Sequence, residues 1–197
     1  MRIITGKYKG RHFDIPRSFK ARPTTDFAKE NIFNVLTGYM GFEGATALDL
    51  FSGTGSITLE LLSRGCAHVI SIEADRDHHR FIMQCLQKLK ETSVDSGQWT
   101  VDRYDHNCHC LPIRGDVFRF VKSCKQQFDL IFADPPYALK ELPTIPSLIF
   151  EKNLLKPEGV FVFEHGKDHD FRDHPNFVEH RSYGSVNFSI FRPLHQR

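Results

Sequence analysis

The chain of 197 residues has no apolar run approaching the length of a membrane span, and its first residues lack the uninterrupted apolar stretch of a signal peptide. A cytoplasmic location with no membrane partner is therefore expected. Internal repeats and low-complexity segments are absent, which argues against solenoids and long linkers. Cysteine is sparse and odd in number: Cys66, Cys85, Cys108, Cys110 and Cys124. Three of them fall in segments that read as helix or helix end among apolar neighbours, as reduced core thiols do and a disulfide framework does not. What is present is ordinary for a soluble globular protein: 40% hydrophobic and 25% charged residues, enough for one domain with a substantial core.

The net charge of +2 hides an asymmetry. Residues 1–22 hold seven Lys or Arg against Asp14 alone, a local charge of +6, so the remainder carries −4. A basic segment on an otherwise acidic body suits a polyanionic partner, because phosphate contacts release counterions; a merely solvated basic hairpin is the bland alternative. Arg2 to Pro16 reads as two short strands around a glycine-marked turn, a basic β-hairpin. Asp26 to about Tyr39 has apolar residues at helical spacing with a Thr as N-cap.

From residue 45 the pattern alternates strand and helix, the signature of an α/β doubly wound, mostly parallel sheet. Strands are expected over Ala45–Phe51, His68–Glu73, somewhere between Trp99 and Ile113, over Phe128–Ala133 and over Gly159–Glu164. Helices are expected over Ser56–Arg64, over about Asp77–Glu91 and through Phe118–Cys124. The stretch Val178–Arg192, with Tyr183-Gly184-Ser185 inside it, predicts a closing antiparallel hairpin, for seven strands in all.

Chemistry concentrates where these strands end. After the fourth come Asp134, Pro135, Pro136 and Tyr137. Two prolines fix φ, remove two N–H groups and hold their predecessors extended, so the turn is stiff and rich in acceptors. Asp134 and a nearby carbonyl suit both hydrogens of an exocyclic amine, and Tyr137 offers a face for a planar base. A rigid loop after a buried strand is the alternative for these four residues alone. The first strand runs into Asp49-Leu50-Phe51-Ser52-Gly53-Thr54-Gly55, which opens a helix, and Glu73 ends the next strand 18 residues after Gly55. That spacing, near 20, places an acid on a ribose diol. A dinucleotide fingerprint needs a third glycine where Thr58 stands, and Asp49 would repel a pyrophosphate. S-adenosyl-L-methionine, with its sulfonium and ammonium, suits the acids better. Asp49, Phe51, Gly53, Gly55, Glu73 and Ala74, with Asp116 and Val117 after the third strand, are the candidate cofactor residues.

The sequence resembles the RsmD family, within the class I S-adenosylmethionine-dependent methyltransferases of Rossmann-like fold. The likeness lies in Arg2 to Arg11, Arg22-Pro23-Thr24-Thr25-Asp26, Glu30 with Phe33-Asn34, Asp49 to Gly55, Ser63-Arg64-Gly65, Glu73, Gly115-Asp116, Asp134 to Tyr137, and Glu164-His165. It implies methylation of the N2 amine of a guanine in 16S ribosomal RNA, offered alone, within the small ribosomal subunit or in an assembly intermediate. It also implies catalytic duty for Asp134 to Tyr137 and RNA contact by Lys7, Lys9, Arg11, Arg22 and Thr24. Residues 1–24 would form an RNA-contacting extension and residues 25–197 the methyltransferase domain. Nothing in the sequence sets an oligomeric state.

The stretch Thr92–Arg114 departs from the family by its length and contains Asp105-His106-Asn107-Cys108-His109-Cys110. Zinc ligation would need wider spacing, so a long loop and no metal are expected. His165 reads as a hydrogen-bonding residue at a strand end more than as a catalyst. Three rivals stand beside the main reading. One is an adenine-N6 methyltransferase of DNA or RNA, which uses the same amine-gripping turn. The others are a nicotinamide-dependent oxidoreductase and a non-catalytic RNA-binding protein.

Overall fold

In the computed structural model, residues 1–19, 24–91 and 109–194 are described. The chain order is α1 (Asp26–Leu36), β1 (Thr46–Leu50), α2 (Ser56–Ser63), β2 (His68–Glu73), α3 (Arg76–Glu91), β3 (His109–Arg114), α4 (Val117–Ser123) and β4 (Phe128–Ala133). A 3₁₀ turn (Leu142–Thr144), α5 (Ile145–Glu151), β5 (Leu155–His165), β6 (Phe177–Tyr183) and β7 (Val186–Phe191) complete it. One seven-stranded sheet has the order β3-β2-β1-β4-β5-β7-β6. The first five strands are parallel; β7 pairs antiparallel with β5 and with β6, as the closing hairpin required.

Alternation along the strands makes two cores, one on each face, because successive strand residues point to opposite sides. Ala47, Val69, Leu130, Phe132, Val160 and Val162 pack with α1, α2 and α3 residues such as Phe33, Leu61 and Phe81. Leu48, Leu50, Ile131, Phe161 and Phe163 pack with Val121 of α4 and with Ile145 and Ile149 of α5.

Several boundaries differ from expectation. Helix α1 stops at Leu36, three residues early, in a turn through Tyr39 whose N–H groups reach back to Phe33, Val35 and Leu36. Strand β5 starts four residues before Gly159, with a break in register against β4. The helical turns between Leu142 and Glu151 had no counterpart in the sequence reading; Pro143 and Pro146 sit in their opening positions, where a missing N–H costs nothing. Among the described residues, no helix is long and apolar enough to cross a membrane.

In place of two N-terminal strands there is one antiparallel bridge, Arg2 to His12. The segment is sewn to α2. Glu60, fully buried, accepts from the N–H groups of Ile4 (2.8 Å) and Thr5 (3.0 Å) and from Arg64 Nε (2.9 Å). Lys29, also buried, donates to the Arg2 carbonyl at 2.6 Å and to Ser56 Oγ at 3.0 Å, with Glu60 3.9 Å away. Burial pushes the Lys29 amine below its ordinary range, opposed by the Glu60 charge. Ile3 and Phe13 meanwhile join the core.

Candidate active site

Strand parity that sends alternate apolar residues into the α1–α2–α3 layer also sends four carboxylates to the same face. Asp49 of β1 follows Ala47 by two, Glu73 of β2 follows Val69 by four, Asp134 follows Phe132 beyond β4, and Glu164 of β5 follows Val162. These strands are neighbours in the order β2-β1-β4-β5. With strands about 4.8 Å apart, the acids form a row about 15 Å long.

The row is electrostatically uncomfortable. Asp49 is 1% exposed, and burial, with the Glu73 charge adding to it, pushes its carboxyl up to about 7 against the hydrogen bonds of Thr58 and Ser52. Asp134 is raised well above the usual carboxylate range by burial and then by the charges of Glu164 and Asp49. Glu164 is raised by burial, against the hydrogen bonds it accepts from Tyr137 and Thr24, and its charge in turn raises Asp134. A cation laid along the row would relieve all of these penalties.

The loop leaving β1 is held open beside the row. Phe51 has φ of 60°, uncommon for a bulky side chain, and its ring meets Phe118 edge-on at 6.2 Å. The Gly53 N–H donates to Glu73 Oε2 at 2.7 Å, and the Asp75 N–H donates to Oε1 at 2.7 Å, so Glu73 ties the loop to the end of β2. The two loop glycines serve different ends. Gly55, at φ of 80°, is pressed on α3: a Cβ there would stand 2.9 Å from Ile82 Cγ1. Gly53, at φ of 54°, has only the Phe51 carbonyl within 4 Å of such a Cβ, which leaves room for a ligand. Thr58, where a dinucleotide fingerprint has glycine, donates its hydroxyl to Asp49 Oδ2. Asp116 caps α4, its Oδ1 accepting from the Arg119 N–H at 2.8 Å; Val117 is buried and Ala74 exposed beside Glu73.

Across the row stands the proline turn. Asp134 donates its N–H to the Leu50 carbonyl at 3.3 Å, which moors the turn to β1. The Tyr137 hydroxyl donates to Glu164 Oε1 at 3.0 Å, while Thr24 donates to Oε2 at 3.1 Å. Tyr137 remains 46% exposed, and a Cβ on Gly166 would stand 3.4 Å from its Cδ2, so the ring lies against glycine with one face available. Glu164, quoted above only as part of a motif, is thus the hub of this turn; its position two residues past Val162 on β5 was the available signal.

His165 is buried with both ring nitrogens engaged, Nδ1 at the Gly166 carbonyl (2.9 Å) and Nε2 at Ser189 Oγ (2.8 Å). It is a strand-end hydrogen-bonder. Cys85, Cys110 and Cys124 are free thiols, and burial pushes Cys85 and Cys110 up to about 12.

The expected RNA-contacting residues scatter. Thr24 joins the site through Glu164. The Lys7 N–H donates to the Ser63 carbonyl at 2.8 Å and Tyr8 to Ser63 Oγ at 3.0 Å, so the turn holding Lys7 and Lys9 lies at the C-terminal end of α2. That end is one helix length, about 12 Å, from the glycine loop. The Arg11 carbonyl accepts from the Ile3 N–H at 2.9 Å. Arg22 lies outside the described residues, as do Asp105 to Cys108 of the loop discussed above.

The acids, the open glycine loop and the space at Gly53 fit a cationic, adenosine-bearing cofactor. Similarity to known proteins agrees. The family model described as Conserved hypothetical protein 95 matches residues 1–192. The chain is 30% identical, over 98% of its length and 93% of the other's, to the Ribosomal RNA small subunit methyltransferase D of Haemophilus influenzae. In structure it is similar to a hypothetical protein of Thermus thermophilus, with a TM-score of 0.79 and 23% identity over 98% of this chain and 99% of that one. It is also similar to an RNA methyltransferase of Salinibacter ruber solved with S-adenosyl-L-homocysteine (TM-score 0.62, 14% identity, 89% and 96% of the two chains). By fold, by the placement of its acids and by a match along nearly its whole length, the chain belongs to this family, the RsmD family of class I S-adenosylmethionine-dependent methyltransferases.

Proposed function

We propose that the protein methylates the exocyclic N2 amine of a guanine in small-subunit ribosomal RNA. The observation that carries methylation of an exocyclic amine is the proline turn itself: an acceptor, Asp134, and an exposed aromatic, Tyr137, both anchored to Glu164 at the end of the acid row. The name of the Haemophilus relative supports ribosomal RNA as the substrate class.

Asp49 and Glu73 would hold the cationic and ribose parts of S-adenosylmethionine, Gly53 would admit it, and Asp116 would accept from the adenine amine. The cofactor supplies an electrophilic methyl group. Tyr137 stacks the extruded base, and Asp134 with the neighbouring carbonyl accepts the amine hydrogens, which turns the nitrogen lone pair toward the methyl. Burial and their mutual repulsion hold the Asp134–Glu164 pair toward protonation, and the pair would offer the amine an acceptor oxygen. The amine is a very weak acid until it is alkylated, so its proton leaves late, into this pair. Binding geometry thus does most of the work, and prior deprotonation is unnecessary.

The test is incubation with methyl-labelled S-adenosylmethionine and unmodified small subunits or naked RNA, followed by identification of the labelled nucleoside by mass spectrometry. N2-methylguanosine is expected. N6-methyladenine would retain the turn's chemistry and discard the guanine assignment; no label with any nucleic acid would discard both.

A further inference from the structure

Beyond the acid row, on the outer strand β3, the surface changes sign. Arg76, His79, Arg80 and Met83 of α3, with Arg114 at the end of β3, line a cavity of about 320 Å³. Arg76, Arg80 and Met83 fall at i, i+4 and i+7, one stripe of the helix. His79 is fixed to β3 by its Nε2, 3.2 Å from the Pro112 carbonyl. The three arginines are exposed. Arg80 meets Asp77 at 3.3 Å on the surface, while Arg76 and Arg114 form no ion pair among the described residues. Among the described residues no acid lines the cavity, so its guanidinium groups, offset only at Arg80 by Asp77, repel one another, a cost that an anion removes. Met83 is 48% exposed and gives the floor an apolar patch suited to a sugar or base.

We propose that this cavity binds the phosphodiester backbone of the RNA substrate beside the target nucleotide. This rests on the RNA reading above. Its position fits: β3 and β4 are three strand spacings apart, so the cavity lies about 14 Å along the sheet from the amine-gripping turn. A strand whose base enters at Tyr137 can lay its flanking phosphates there. Arginine, with its planar fork of donors, matches phosphate oxygens in pairs. The Lys7–Lys9 turn, by contrast, is at the opposite end of α2 from the chemistry, so the charge concentrated at the N-terminus does not by itself explain how RNA is held near the reacting base.

The test compares the native protein with the double variant Arg76→Ala/Arg80→Ala and with Arg114→Ala, using a fluorescent fragment of small-subunit RNA and anisotropy across a series of KCl concentrations. For the double variant, affinity falls by about tenfold and the slope of log K against log salt shrinks by about 1.4 to 1.8, the loss of about two phosphate contacts. KM for RNA rises, whereas kcat at saturating RNA and the calorimetric affinity for S-adenosylmethionine stay unchanged. Arg76→Lys/Arg80→Lys restores most of the salt slope, which a packing role would not predict. Unchanged affinity and slope would overturn the proposal, as would an equal loss of cofactor binding, and so would displacement of RNA by millimolar inorganic phosphate with no change in salt slope between native and variant. Should the native protein bind RNA in this way yet yield no methylated guanine, the cavity stands and the guanine-N2 reading falls.

Discussion

The hydroxyl of Tyr137 donates to the carboxylate of Glu164, 27 residues away and at the end of the adjoining strand. A side chain expected only to stack on a base is thereby tied to the residue that also engages Asp134 and Thr24. Tyr137→Phe keeps the ring and loses only this hydrogen bond, so turnover should fall a few-fold. Glu164→Gln disturbs all three partners, and kcat should fall by about 10- to 100-fold with cofactor affinity preserved. Steady-state kinetics beside calorimetry checks both; equal effects from the two variants would contradict the hub role of Glu164.

Asp134→Ala should lower kcat by at least about 100-fold, because the amine loses its acceptor and its orientation. Cofactor affinity should change far less. Single-turnover rates with preformed cofactor complex make the separation, and near-normal chemistry would remove Asp134 from the mechanism.

The raised carboxyl of Asp49 gives a pH dependence with a definite sign. If Asp49 holds the cofactor as proposed above, its ionised form attracts that cation, and its carboxyl is raised from 3.8 to about 7. Affinity for S-adenosylmethionine should therefore increase as pH rises through 7. Stability of the protein alone runs the other way: the folded state takes up a proton that the unfolded chain does not between pH 3.8 and about 7, so this contribution is full at low pH and lost as pH rises through that window. Asp49→Asn removes the loss. Its Tm at pH 8 should exceed that of the native protein by a few degrees while cofactor binding weakens by more than about tenfold. Thermal melts at pH 5 and 8, with and without cofactor, decide the matter.

Two glycine substitutions should separate folding from binding. Gly55→Ala forces a methyl into Ile82 and should cost about 1–3 kcal/mol of stability. Gly53→Ala meets no neighbour closer than 3.9 Å and pays only its left-handed backbone, about 1–2 kcal/mol, yet should abolish most cofactor binding by filling the space. Denaturant titrations and calorimetry on the two variants test the contrast.

Strand positions were legible because alternation and continuous apolar runs mark buried parallel strands, and the placement of Asp49, Glu73 and Asp134 was legible because each closes such a run. Other features depend on partners far away in sequence. Glu60 and Lys29 look like ordinary solvated helix charges until the N-terminal segment folds over them. Thr24 and Glu164 meet across 140 residues, a pairing that no local pattern announces. The course of residues 1–13 along α2 was illegible for the same reason: charge content is a property of the segment, whereas its direction is set by Ser63 and Glu60. Helix α5 was hidden by Pro143 and Pro146, which mark a loop unless they fall in a first turn.

Carboxylates gathered on one face of β2, β1, β4 and β5 strain the fold most when no positive charge lies along them. A ligand that binds only the folded protein stabilises it in proportion to the logarithm of its concentration over Kd. In a cell, proteases sample the unfolded fraction, so the half-life of this protein should lengthen as the methyl donor becomes abundant and shorten as it runs down. Pulse-chase decay under methionine limitation would reveal that coupling. The acids would then link the quantity of the enzyme to the metabolic supply of its methyl groups.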